Sequence, residues 1–287
     1  FLRRAVLAAI LMSLTCGLIA PVVVLRRLSF STDGLAHSSL GGLAIGVIFV
    51  TNGASPSLLS YLISFFFTVS VAAGITYLSE NNRIDSDTAV GVCYVAAFAL
   101  GVLVLSLREG YSGHLDQFFF GSLLAVNQIE CLLLLILSLI SFIFIFWNWL
   151  SVGKWTFNEE MAHAEGVPVK KLRYFFMFLV VAVVIVSSRV VGVLLVTSML
   201  ILPGAVGSLA SRSMFGITIV SIATALVSSL IGLSISNSYD VPPGPVIVLT
   251  GFLIFLGTYL TQYRKNHLFS VKNEFPQKKL LFFCAFP

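Results

Sequence analysis

The chain alternates long apolar runs with short polar interruptions. Apolar stretches fall at roughly 4 to 25, 29 to 50, 57 to 79, 88 to 107, 128 to 150, 170 to 188, 191 to 210, 214 to 236 and 244 to 263. Each is close to the ~20 residues that carry a helix across the hydrocarbon core of a bilayer. Nine spans are predicted, or eight if 170 to 210 holds one span followed by a broken helix. Turn formers or charges mark the breaks: Asn52-Gly53 with Pro56, Asn81-Asn82, Gly110 to Gly113, Arg189, Arg212, and Pro242-Pro243-Gly244-Pro245. The first run is too long for a signal-peptide core and lacks a small-residue cleavage pattern, so it reads as a span. The pattern therefore predicts an all-α polytopic integral membrane protein: one transmembrane domain over 1–265 and a tail over 266–287, with no soluble domain, long linker or repeat of 20 to 50 residues.

Composition removes the soluble alternative. Of the 287 residues, 58% are hydrophobic and 10% charged, with a mean hydropathy of +1.01; a soluble domain carries about 25% charged residues. A single core cannot hide so many apolar side chains, and the remainder must face lipid. The net charge of +5 comes from basic residues in short loops and the tail. Headgroups and membrane orientation account for them better than nucleic acid does. If Arg26 and Arg27 face the cytoplasm and the spans alternate, 13 of the 17 Lys and Arg residues lie inside and Arg3, Arg4, Arg108 and Arg189 outside. The N-terminus is then outside and the C-terminus cytoplasmic. Cys16, Cys93, Cys131 and Cys284 lie in apolar stretches without C-x-x-C spacing, indicating neither a disulfide framework nor a zinc knuckle.

Two segments carry candidate chemistry. The second span begins STDGLAHSSLGGLAIG, which puts Asp33 and His37 at i and i+4 on one helix face. A carboxylate and an imidazole are costly in lipid unless they face an interior or pair with something. Together they suit a divalent ion such as zinc or manganese, although one helix supplies only two ligands. The alternative is an Asp hydrogen-bonded to His for packing. Beside them Gly34, Ser38, Gly42 and Gly46 recur every four residues, a ridge of small side chains that admits a close neighbouring helix.

The second segment, KWTFNEEMAHAEGVPVKK, is the longest strongly polar interruption on the inner side. Thr156-x-x-Glu159 fits a capping box, Gly166 suits the left-handed position that ends a helix, and Pro168 blocks continuation. A helix of about nine residues within 156 to 166 is predicted. Its charges, Glu159, Glu160 and Glu165, have the wrong sign for anionic headgroups, so it reads as a docking knob for another protein or as an ordinary ordered loop; His163 reads as a surface histidine. The chain has no G-x-x-x-x-G-K-[ST], no H-E-x-x-H and no Ser, His and Asp set, so nothing marks it as an enzyme.

These blocks resemble the permease subunit of the bacterial zinc/manganese ABC importers. RRLSFSTDGLAHSSLGGLAIG is similar to that family's second-span motif, with Asp33 and His37 falling on its proposed metal-handling pair. HLDQFFFGSLLAV resembles its F-G-x-L-L segment, FNEEMAHAEGVPVKKLR its ATPase-coupling loop, VVGVLLVTSMLILPGAVGSLASRS its glycine-to-proline helix and SYDVPPGPVIVL its final-span entrance. The blocks run in family order from about 26 to 263. The sequence departs at Pro203-Gly204-Ala205, where Pro-Ala-Ala is usual, and at Gly41-Gly42, where a proline is missing.

The resemblance implies the metal-type ABC permease fold, a second permease copy, a cytoplasmic ATP-binding subunit and an extracytoplasmic metal-binding protein. It also implies no permanently bound cofactor, coupling through Phe157, Asn158, Glu159, Glu160 and Gly166, and a helix break at Pro203 and Gly204. SYDVPPGPVIVL and the AHAEGV stretch resemble the zinc branch more than the manganese branch, so zinc is the expected ion, with manganese and iron open. His114 and Asp116 in the outer loop are placed to attract cations or touch the delivery protein, or are simply solvated; Arg189 reads as a span-end anchor or salt-bridge partner rather than a transport residue. Rival readings are a proton-coupled secondary transporter, which needs no ATPase, a permease for iron chelates or cobalamin, which needs no Asp and His pair, and a membrane scaffold with no metal phenotype.

Overall fold

A computed structural model describes residues 2–50, 58–80, 85–106, 126–239 and 241–283, and among them the regular structure is entirely helical. The apolar runs become α1 (Leu2–Leu25), α2 (Ser29–Val50), α3 (Leu58–Glu80), α4 (Ser86–Ser106) and α5 (Gln128–Trp147). Two short helices follow, α6 (Trp149–Phe157) and α7 (Glu159–Ala164), and then α8 (Val169–Val191), α9 (Val193–Ala210), α10 (Met214–Tyr239) and α11 (Pro243–Phe283). Among the described residues, nine long helices correspond to the nine predicted stretches. Seven of these are long and apolar enough to cross a membrane. The other two are α2, which carries Asp33 and His37, and α8, which opens on Lys170, Lys171 and Arg173.

The helices form two groups. In one, α2 packs against α3 and α4; in the other, α1 packs against α9 and α10, with α11 closing on α9 and α10. Helix α8 touches α2 and α3 on one side and α9 and α5 on the other, and so ties the groups together. The core lies along α1, α8 and α9, where Ile19, Val23, Phe176, Val184, Leu195 and Leu200 are buried. Outward faces such as Leu132, Leu139 and Phe146 on α5 and Leu249 and Leu253 on α11 remain exposed, as lipid contact requires. Side-chain hydroxyls add polar links between helices in the dry interior. Ser13 Oγ lies 2.7 Å from Ser229 Oγ, and Ser64 Oγ donates to the Ser39 carbonyl at 2.8 Å.

Local chemistry explains several boundaries. Asn127 and Glu130 form a reciprocal capping box at the start of α5. The expected break at Pro203 and Gly204 is not there: both residues lie inside the continuous helix α9, and the interruption falls at Gly192, whose φ of 87° only glycine adopts readily. Pro203 removes one backbone hydrogen bond, yet the helix continues past it to Ala210. A Cβ on Gly204 would lie 2.4 Å from the Ala20 carbonyl oxygen, so α9 rests directly on the backbone of α1 there. Helix α11 runs on past residue 265 to Phe283.

Candidate metal path and coupling surface

Asp33 and His37 occupy the first three turns of α2, one helical turn apart. His37 Nε2 stands 3.8 Å from Asp33 Oδ2, beyond hydrogen-bond reach, so the packing hydrogen bond is not made. Two ligands each about 2.1 Å from a shared ion can be up to about 4.2 Å apart, and the observed separation fits that limit. Both side chains are partly exposed, at 30% for His37 and 44% for Asp33. Helix α4 walls the pair with aromatic rings: Tyr94 and Phe98 lie 6.3 and 6.1 Å from the His37 ring, and Phe30 meets Tyr94 edge-on at 6.0 Å. No cluster of three or more His, Cys, Asp or Glu occurs among the described residues. His114 and Asp116 lie outside those residues, as does the side chain of Arg189.

The small-residue ridge serves two neighbours rather than one. A Cβ on Gly34 would meet Val90 of α4 at 2.9 Å, whereas Cβ atoms on Gly42 and Gly46 would lie 2.7 and 2.8 Å from the Cα atoms of Ser64 and Ser60 on α3. Ser38 is buried and donates its hydroxyl to the Gly34 carbonyl at 2.8 Å. Gly41, in the place of the missing proline, is as tight: its Cβ would lie 2.3 Å from the Ala97 carbonyl oxygen. Two glycines thus bring α3 and α4 onto α2 just beyond the Asp33 and His37 pair.

The coupling segment is shorter than predicted and capped by a different residue. Thr156 belongs to α6 and donates its hydroxyl to the Val152 carbonyl at 2.6 Å, so no Thr156–Glu159 box forms. Asn158, extended at φ −151° and ψ 110°, caps α7 and accepts from the Met161 amide at 3.0 Å. Extended backbone at Asn158 ends α6 and leaves only six residues for α7. Gly166 does take the left-handed position, at φ 80°. Its amide donates to the His163 carbonyl and that of Val167 to the Ala162 carbonyl, closing the helix.

The residues predicted for coupling divide into two faces. Phe157, Glu160 and Met161 are exposed, while Asn158 and Gly166 shape the ends. Glu159 turns inward and bridges Arg26 of the α1–α2 turn and Arg173 of α8. The Arg26 guanidinium also lies over the ring of buried Trp155, 5.0 Å from its centroid, and Trp155 packs edge-on against Phe176. In the sequence Arg26 and Arg173 read only as topology charges, and the one local signal for this cluster is a carboxylate at the head of a loop helix followed by KKLR. The contacts place the α1–α2 turn, the coupling segment and the start of α8 on one side of the bundle, as alternating spans require.

An inner helix with one carboxylate–imidazole edge, and a capped knob between the fifth and sixth long helices, agree with what the sequence matches over residues 1–262: the ABC 3 transport family. The chain belongs to that family. It is 30% identical to the manganese transport system membrane protein MntC of Listeria monocytogenes, over 96% of this chain and 95% of that protein. It is 29% identical to the high-affinity zinc uptake system membrane protein ZnuB of Haemophilus influenzae, over 92% and 97%. Among solved structures, PsaBC from Streptococcus pneumoniae in complex with Fab shares 28% identity and a TM-score of 0.77, with 90% of each chain covered. This ABC 3 family chain is a multi-pass transport permease subunit of metal importer type and not itself an enzyme.

Proposed function

We propose that the chain is one of two membrane subunits of an ATP-driven importer of a first-row divalent metal ion in the cytoplasmic membrane, and that Asp33 and His37 touch the ion as it passes. The observation that carries the reading is the 3.8 Å separation of the two ligand atoms on a partly exposed edge of α2. Two ligands per chain suit a cargo that must be released, and a second copy of the chain is the source of further ligands. Relatives named for manganese and for zinc stand at nearly equal identity, 30% and 29%, and oxygen plus imidazole nitrogen accommodates manganese, iron and zinc alike. The ion is therefore assigned to that class rather than to zinc alone.

An ATP-binding subunit docks, in this reading, on the exposed face formed by Phe157, Glu160 and Met161, with Asn158 and Gly166 holding its shape. A metal-binding protein delivers the ion from the opposite side, where the N-terminus lies. The test is metal uptake into sealed vesicles holding the complete complex, with and without ATP and the delivery protein. Uptake of zinc, manganese or iron that requires ATP supports the proposal. Uptake driven by a proton gradient without ATP would establish the secondary-transport reading instead.

A further inference from the structure

Glu159 is an anion held between cations of two other elements. Its carboxylate oxygens each take a guanidinium, Arg26 on one and Arg173 on the other. Charge-assisted pairs to guanidinium forks combine strength with directionality, and these are only partly solvated: the side chains are 19% exposed for Arg26, 23% for Arg173 and 33% for Glu159. Arg26 is gripped from a second side by Trp155 of α6. The turn it belongs to is itself tightly made. Arg27 is held at φ 57°, and the Leu28 amide donates to the Val23 carbonyl at 2.8 Å. The Thr32 amide donates back to the Leu28 carbonyl at 2.9 Å, so the turn leads without slack into α2. Asp33 is four residues beyond Ser29, about 6 Å along the helix axis, and His37 about 12 Å.

We infer that Glu159 is a positioning residue for transport: by bridging Arg26 and Arg173 it fastens the coupling segment to the α1–α2 turn and to α8, so that movement of the segment is delivered to the helix carrying Asp33 and His37. The inference rests on the proposed metal-permease function. Helix α8 strengthens the link, because it packs directly on α2 as well as on α3. The charges make the clamp conditional on Glu159. With it the cluster is one anion between two cations; without its charge, the two charge-assisted links that hold the turn and α8 to the segment are lost. A surface knob docking its own charges on a partner would have no need of this inward-turned carboxylate.

The test uses the complete complex in sealed vesicles and reads metal ions moved per ATP hydrolysed, a ratio unaffected by how much protein folds. Glu159→Gln keeps the shape and removes the charge, and the ratio is expected to fall by about fivefold or more. Glu159→Asp keeps the charge and should retain most of the coupling. A wild-type ratio in Glu159→Gln overturns the inference and leaves the metal-permease reading standing. If Glu159→Gln yields no assembled complex, Arg26→Lys decides, since it keeps the charge but loses the guanidinium fork: a lowered ratio supports the clamp and an unchanged one overturns it. If the wild-type complex moves no metal with ATP, the function on which the clamp rests fails, and the inference fails with it.

Discussion

Gly101 of α4 rests on Gly41 of α2: a Cβ built on Gly101 would fall 2.5 Å from the Gly41 Cα. This backbone contact lies one turn beyond His37 and sets how closely Tyr94 and Phe98 approach the Asp33 and His37 edge. Gly41→Val is expected to destabilise the detergent-solubilised protein by about 1–3 kcal/mol, the cost of overpacking. Gly74→Ala, where an added Cβ meets nothing within 4 Å, should be neutral or slightly stabilising. Thermal unfolding of the two variants side by side checks this, and equal transitions would mean that the α2–α4 contact is looser than described.

The ends of α7 predict a local effect. Asn158→Ala removes the cap on the Met161 amide, costing about 1 kcal/mol, and Gly166→Val forces a β-branched side chain to φ 80°. Amide exchange in residues 158–166 should speed up about fivefold in Asn158→Ala and by more in Gly166→Val, with the spans unaffected. Exchange at the wild-type rate in both would show that the segment is held by something other than its caps.

Docking should depend on the outward face. Glu160→Lys reverses an exposed charge, and Met161→Ser removes an exposed apolar side chain. Each is expected to weaken retention of the ATP-binding subunit, by roughly tenfold for the charge reversal, in copurification at moderate salt. Full retention in both variants would move the docking surface elsewhere.

Topology is open to a direct chemical check. With the Arg26, Glu159 and Arg173 cluster on the cytoplasmic side, Glu160→Cys should resist an impermeant thiol reagent added to intact cells and react once the membrane is opened. Efficient labelling from outside would invert the assigned orientation.

How much of this was legible in the sequence depends on the range of the interaction concerned. Spans follow from runs of apolar residues, and the left-handed Gly166 follows from its place before Val167-Pro168, both local signals. The i and i+4 pair of Asp33 and His37 was visible for the same reason. What escaped was tertiary. Thr156 and Asn158 are both competent caps, and only the extension of α6 to Phe157 decides between them. Pro203 reads as a break until α1 is known to brace α9 at Gly204. The inward turn of Glu159 depends on Arg26, 133 residues away, a separation that no window on the chain spans.

The most direct measurement is ATP-dependent metal uptake by the complete complex carrying Asp33→Asn or His37→Phe. The first keeps shape and removes charge; the second keeps a ring and removes the ligand nitrogens. Uptake is predicted to fall about tenfold or more in each, while both variants still assemble with their partners at wild-type levels. Normal uptake by both would contradict the account, making the 3.8 Å pair a packing feature and placing the metal path elsewhere in the bundle.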